Sequence, residues 1–345
     1  MKVRSISHII AGVVVLMLLS CSRDHLYYEA VSRNQVQLNI DWSQTAFSQD
    51  SRNFDSRNPL NGVTIFAFDS ATHRLATELP PDANWQSPLL RLSPGTYDLI
   101  VINDSRAELP TINFDTSRPF EDFSASVDVD TVYSEYPDYL TVSSVRNVSF
   151  SLYNIDYFYD RPDEYLHDLV TQEISTVQHS VTKKINLRVL VKGINYCRGM
   201  QPSFMTGLSK SVNLATETPD SQNVVFAFNL INREYRSSDY TEAMLTQSFS
   251  SFGFNEENLR SGTKFVMTLH FVLVDNTVHT VTTDVTHQFE EWLEEHSIDL
   301  GLDLDLNIDI ALEVELPPAV EDPEDVGGLD PETIPWNDII QEIVL

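Results

Sequence analysis

Basic residues run out early in this sequence. Lys264 is the last of them, and the 81 residues beyond it hold twenty Asp and Glu with no Lys or Arg, so about two thirds of the formal net charge of -29 lies in the last quarter of the chain. A surface of that sign repels phosphate backbones, which argues against nucleic acid as a partner. It is also repelled by anionic membrane surfaces, so any attachment to a membrane has to come from elsewhere in the chain. Cysteine is equally scarce, with only Cys21 and Cys197 in 345 residues. If Cys21 is modified, Cys197 has no partner within the chain and no disulfide staples the fold. No His and acid neighbour Cys197 in the sequence, so it reads as a small, partly buried residue rather than a reactive thiol. The sequence has no G-x-S-x-G, no P-loop, no G-x-G-x-x-G and no C-x-x-C. Its acids fall on faces expected to be solvated, so neither an enzyme nor a cofactor-binding protein is expected.

The N-terminus supplies an attachment. Lys2 and Arg4 precede an apolar run from Ile9 to Leu19, long enough for the core of a secretion signal and too short to span a bilayer comfortably. The run ends in Leu18-Leu19-Ser20-Cys21, which resembles a bacterial lipobox. In such a motif the cysteine thiol is diacylated and the preceding peptide removed, and several acyl chains at ~0.8 kcal/mol per buried methylene give stable anchoring. Residues 1–20 are therefore expected to be a lipoprotein signal peptide and Cys21 the lipid attachment site, with residues 21–34 a polar tether.

Beyond the tether the chain is patterned for strands. A hydrophobic share of 42% and an aromatic share of 10% describe a globular chain. Val36, Leu38, Ile40 and Trp42 alternate on one face, and in GVTIFAFDS Val63, Ile65 and Ala67 oppose Thr64, Phe66 and Phe68. The run LLRLSPGTYDLIVIND predicts a hairpin turning at Ser93-Pro94-Gly95, its second strand covered on both faces. From Asp104 to about Ser180 the pattern weakens. A tyrosine-rich stretch, Tyr153 to Tyr159, covers the rim of a β core or forms a ligand platform, and Arg161 to Leu169 suggests a helical turn. Alternation resumes at Ile185, Leu187, Val189 and Val191, and further strands are expected at 223–230, 263–275 and 277–283, the last two joined by a tight turn at Asp275-Asn276. Residues 35–178 and 179–345 are accordingly expected to be two β-sandwich domains. One short helix is expected in the second, capped by Thr286, with Phe289, Trp292, Leu293 and His296 on one stripe. His287 and His296 lie on different faces of it and do not make a zinc pair.

The stretch GLDLDLNIDIALEVEL, residues 301–316, places Asp303, Asp305, Asn307 and Asp309 at alternate positions, as calcium ligands are placed. The sixth position from Asp303 is Ile308, where a calcium loop needs glycine, and every even residue is apolar. A long amphipathic strand with an acidic outer face explains the pattern better, leaving Asp303, Asp305 and Asp309 as weak metal candidates. After it, residues 317–345 run through an acidic Pro- and Gly-containing loop to an apolar end, Ile339 to Leu345.

The lipobox, the L-x-L-S-P-G-T-Y-D-L-I-V-I-N run of Leu90 to Asn103, RPDEYLHD, HSVTKKINLRVLVKG, GMQPSFMTGLSKSVNL and HFVLVDNTVHTVTTDVTHQFE together resemble fimbrillin-like lipoproteins of Bacteroidales, relatives of the anchor and accessory subunits of their pili. The resemblance implies an all-β chain of two tandem transthyretin-like β-sandwiches, lipid-anchored in the outer membrane at the cell surface. It implies a role as an anchor or accessory subunit of a fimbria, meeting other pilus subunits by strand addition. Shaft subunits of that family are cut after an arginine in the first domain; Arg33, Arg52 and Arg57 lie near the first strand here, in no specific pattern. The alternative is a solitary surface lipoprotein that binds a glycan or a host protein through the tyrosine stretch.

Overall fold

A computed structural model describes residues 35–47, 60–82, 84–130, 133–134, 136–151, 172–297 and 307–318. Its strands in chain order begin with β1 (Val36–Asp41), β2 (Val63–Asp69), β3 (Leu75–Asp82), β4 (Leu89–Leu90), β5 (Gly95–Asn103), β6 (Ile112–Phe114), β7 (Ser124–Val127), β8 (Val129–Asp130), β9 (Tyr133–Ser134), β10 (Thr141–Phe150) and β11 (Gln172–Val177). They continue with β12 (His179–Ser180), β13 (Lys183–Lys192), β14 (Cys197–Ser209), β15 (Ser211–Asn213), β16 (Thr218–Pro219), β17 (Asn223–Phe228), β18 (Asn232–Tyr235) and β19 (Glu242–Ser251). Helix α1 (Glu256–Arg260), β20 (Val266–Leu273), β21 (Val278–Asp284), helix α2 (Thr286–Ser297) and β22 (Asn307–Glu315) complete the order.

The chain is all-β, built of packed sheets with, among the described residues, one helix longer than a turn or two. In the first half, the sheet β11-β1-β4 lies over one face of the sheet β12-β10-β5-β2-β3. Val36, Leu38, Ile40 and Trp42 from the first sheet meet Val63, Ile65, Ala67, Leu99 and Val101 from the second in one apolar cluster. Strand β5 is buried on both faces, as its continuous apolar run predicts. Ile100 and Ile102, with Phe66 and Phe68, turn the other way into a second cluster that runs on through the sheets β18-β19-β13-β22 and β21-β20-β14-β17-β9-β8. The segment 112–127 seals that second face with aromatic plates, Phe123 lying 4.9 Å from Phe66 and Phe120 5.5 Å from Phe68. Hydrogen bonding crosses position 178 in both directions: β12 pairs with β10, β15 with β7, and β17 with β9.

The structure corrects two expectations and explains one weak pattern. The turn at Ser93-Pro94-Gly95 does not close a hairpin, because β4 pairs with β1 and β5 pairs with β2 and β10, in different sheets. Residues 91–94 carry the chain from one layer to the other, with Leu92 buried, and the Tyr97 ring lies 3.2 Å from where a Cβ at Gly95 would sit. The weak stretch from Asp104 to Ser180 contains β10, one of the two central partners of β5. Its alternation is broken by a bulge between Val145 and Val148, where Asn147 takes φ +58° and donates its N–H to buried Asp98. Thr286 is not the cap of α2. Asp284 Oδ1 accepts from its N–H at 3.0 Å, while Thr286 Oγ1 accepts the Phe265 N–H at 2.9 Å.

Other local readings hold. The Asp275-Asn276 turn joins β20 to β21 with Asn276 at φ +67°, and Asp275 Oδ1 accepts from Thr277 N at 2.9 Å. The predicted helical turn at 161–169, the tyrosine stretch 153–159 and the apolar end 339–345 lie outside the described residues.

Candidate functional site

The acidic strand anticipated from residue 301 onward is described from Asn307 to Glu315, and it forms the edge of the sheet β18-β19-β13-β22. It runs parallel to β13, with Ile308 opposite Ile185, Leu312 opposite Val189 and Glu315 opposite Lys192. The period-two pattern decides which side is buried. Ile308, Ile310, Val314 and Leu316 are buried in the core, whereas Asp309, Ala311, Glu313 and Glu315 are exposed.

The backbone parity follows from one bond. Leu316 N–H donates to the Lys192 carbonyl at 2.8 Å, so the even residues direct their N–H and C=O groups toward β13 and the odd residues direct theirs outward. Gln288 of α2 confirms the outward side, its Nε2 reaching the Ala311 carbonyl at 3.5 Å. No further strand joins this edge among the described residues. The groups turned outward at Asp309, Glu313 and Glu315 form an open ladder edge lined by carboxylates.

Strand β13 answers that charge with a comb of its own. Lys184, Arg188 and Lys192 recur every four residues, which places all three on its outer face in a strand. The Lys192 ammonium pairs with Glu313, and the pairing raises the lysine pKa. Asn186 donates to Asp309 Oδ1 at 2.9 Å and accepts from Ser248 Oγ at 2.7 Å, a polar chain across three strands. The K-x-x-x-R-x-x-x-K spacing in KKINLRVLVK was the available signal, and reading that run for its apolar residues alone misses it. An acidic edge of this kind discourages indiscriminate pairing with other strands and leaves a complementary one acceptable.

Of the metal candidates, Asp303 and Asp305 lie outside the described residues, as do Cys21 and His296's side chain. Asp309 is exposed and its carboxylate is met by Asn186. His287 is exposed on α2 beside Glu291 at 3.0 Å and Glu290 at 3.8 Å. Among the described residues no group of three or more His, Cys, Asp or Glu is arranged to hold a metal ion. Cys197 is buried and free, its Sγ donating to the Gly199 carbonyl at 3.0 Å, and burial pushes its pKa up. That is the environment of an unreactive thiol.

Among solved structures, the chain is similar to an adhesin candidate from Bacteroides ovatus, at 19% identity and a TM-score of 0.50, covering 88% of this chain and 97% of that one. A second adhesin candidate, from Bacteroides thetaiotaomicron, matches at 8% identity and a TM-score of 0.50, covering 82% of this chain and 92% of that one. The fimbrial anchor protein Mfa2 from Porphyromonas gingivalis matches at 11% identity and a TM-score of 0.46, covering 81% and 90%. No protein-family model matches the chain, and no curated protein matches its sequence. At such identities the likeness is one of fold, and the fold shared with adhesin candidates of Bacteroides accords with the fimbrillin-like resemblance of the sequence.

Proposed function

We propose that this protein is a non-enzymatic, lipid-anchored component of the bacterial cell surface, acting as an anchor or accessory subunit of a fimbria. The observation that carries the reading is the open edge at β22 in an all-β fold of packed sheets. The outward N–H and C=O groups of Asp309, Glu313 and Glu315 offer a ladder to an extended segment of a partner subunit, and the carboxylates select one that carries basic side chains. The signal-like N-terminus ending at Cys21 supplies the attachment that the acidic body does not.

Two measurements test the two halves of this reading. Mass spectrometry of the protein from its own membranes is expected to find an acylated Cys21 at the N-terminus of an otherwise intact chain. A mature chain beginning after a downstream arginine, without lipid, overturns the anchor assignment and indicates a strand-exchanging shaft or tip subunit. For assembly, deletion of Pro317–Leu345 followed by neutralisation of Asp309, Glu313 and Glu315 is expected to abolish co-purification of the partner. Unchanged co-purification after both changes sinks the proposed edge.

A further inference from the structure

Away from that edge, a pocket of about 480 Å3 opens where β13 begins, between α1 and α2. Lys183, Phe254, Glu257, Trp292 and Leu293 line it. The lysine is placed there by local backbone geometry. Gly253 adopts φ +76°, and a Cβ on it would stand 3.2 Å from Lys183 Cγ, so the missing side chain gives the lysine stem its space.

The ammonium so placed lies 5.7 Å from the centroid of the Trp292 ring. Among the described residues no carboxylate pairs with it and no acceptor hydrogen-bonds it. Burial lowers the pKa of this lysine, and the more distant Glu217 carboxylate pulls the other way. A cation that makes no ion pair or hydrogen bond among the described residues, set against an aromatic ring at the wall of a pocket, can receive an anionic group of a ligand.

The rest of the lining narrows the class of anion. Glu256 and Glu257 also line the pocket; Glu256 is engaged by Arg260 at 3.0 Å, whereas Glu257 meets no basic side chain among the described residues. Two carboxylates in the lining disfavour a multiply charged phosphate more than a singly charged anion and accept hydrogen bonds from hydroxyl groups. The Trp292 ring suits the C–H face of a saturated ring.

We infer that this pocket is a subsite for a carboxylated sugar, a uronic acid residue of a glycan, with its carboxylate on Lys183, its ring against Trp292 and a hydroxyl donated to Glu257. The inference does not rest on strand addition at β22, since the two sites share no residue. It assigns the surface protein a ligand as well as an assembly edge.

The test is titration of the full chain with methyl glucuronide and methyl glucoside, read by calorimetry or ligand-observed NMR. The expected result is a Kd for the glucuronide of about 1 mM or tighter, at least about tenfold below that for the glucoside. K183M should bring the two sugars to equal affinity, K183R should keep the preference, and W292L should weaken both. Equal affinities in the unaltered protein, an unchanged preference in K183M, or binding of an acidic peptide but not the glucuronide each overturns the inference. Should K183M fail to fold, the glucuronide-to-glucoside ratio of the unaltered protein decides alone.

Discussion

Asp284 joins the end of β21 to the start of α2, and its titration should be visible in the stability of the protein. Its Oδ1 accepts from Thr286 N at 3.0 Å and from Thr286 Oγ1 at 2.5 Å, and its Oδ2 meets Lys264 Nζ at 3.0 Å. These contacts, the Thr286 hydroxyl bond foremost, lower its pKa from 3.8 to about 2. A folded-state pKa below the unfolded one means that the unfolded chain binds the extra proton first, so the stabilisation is complete above about pH 4 and is lost as the pH falls toward about 2. The full shift corresponds to at most about 2.4 kcal/mol. The Asp284 side chain is 44% exposed, and solvent screening reduces that to about 1 kcal/mol. D284N keeps an acceptor for Thr286 and loses the charge, so it should cost about 1 kcal/mol at pH 7. D284A also loses the cap and should cost about 1.5–2 kcal/mol. Urea unfolding of the protein and D284N at several pH values measures the gap, and comparing variants cancels the other carboxylates that titrate in the same window. The gap should close between about pH 4 and pH 2. A gap of equal size at pH 2 and pH 7, or one that widens in acid, refutes the assignment.

Three more outcomes are expected from the packing. Gly207 and Gly262 both sit at φ +93°, but a Cβ at Gly207 would lie 2.7 Å from the Phe265 ring while one at Gly262 meets nothing within 4 Å. G207A should therefore lower the urea-unfolding stability by about 2–4 kcal/mol and G262A by only about 1 kcal/mol; equal costs would remove the steric argument. Phe66 is fully buried between Phe114 and Phe123 where the two apolar clusters back onto one sheet, and F66A should cost about 3–5 kcal/mol in the same assay. In a variant with Cys21 replaced, Cys197 is the sole thiol and should react with a thiol reagent at pH 8 only after unfolding; prompt reaction of the native protein contradicts its burial.

Wherever side chains alternate without interruption, the sequence alone determined the strands and their buried faces. Val36 to Trp42, Val63 to Phe68, Ile185 to Val191 and Ile308 to Leu316 are such runs, because a pleat of period two converts spacing directly into side. The acidic face of residues 307–316 was legible in the same way once the odd and even positions were separated, but its place at a sheet edge was set by pairing with β13 alone. Bulges hid the rest. Strand β14 shifts register between Cys197 and Gly199, between Gln201 and Phe204, and between Met205 and Leu208, so no single alternation survives along its thirteen residues. Pairing across sheets was hidden too. Nothing local in LLRLSPGTYD tells whether the chain folds back on itself or crosses to the opposite layer, and the choice fell to β1, whose Leu38 and Ile40 N–H groups are satisfied by the carbonyls of Pro88 and Gln86. The Lys183 pocket belongs to the same class. Its lysine, glycine and tryptophan are 70 and 39 residues apart in turn, and only the packing of α2 against the start of β13 sets the ammonium over the ring. Backbone periodicity is a local property that the order of residues carries by itself; which strands share a sheet, and which charges are left without partners, depends on contacts between residues far apart in the chain.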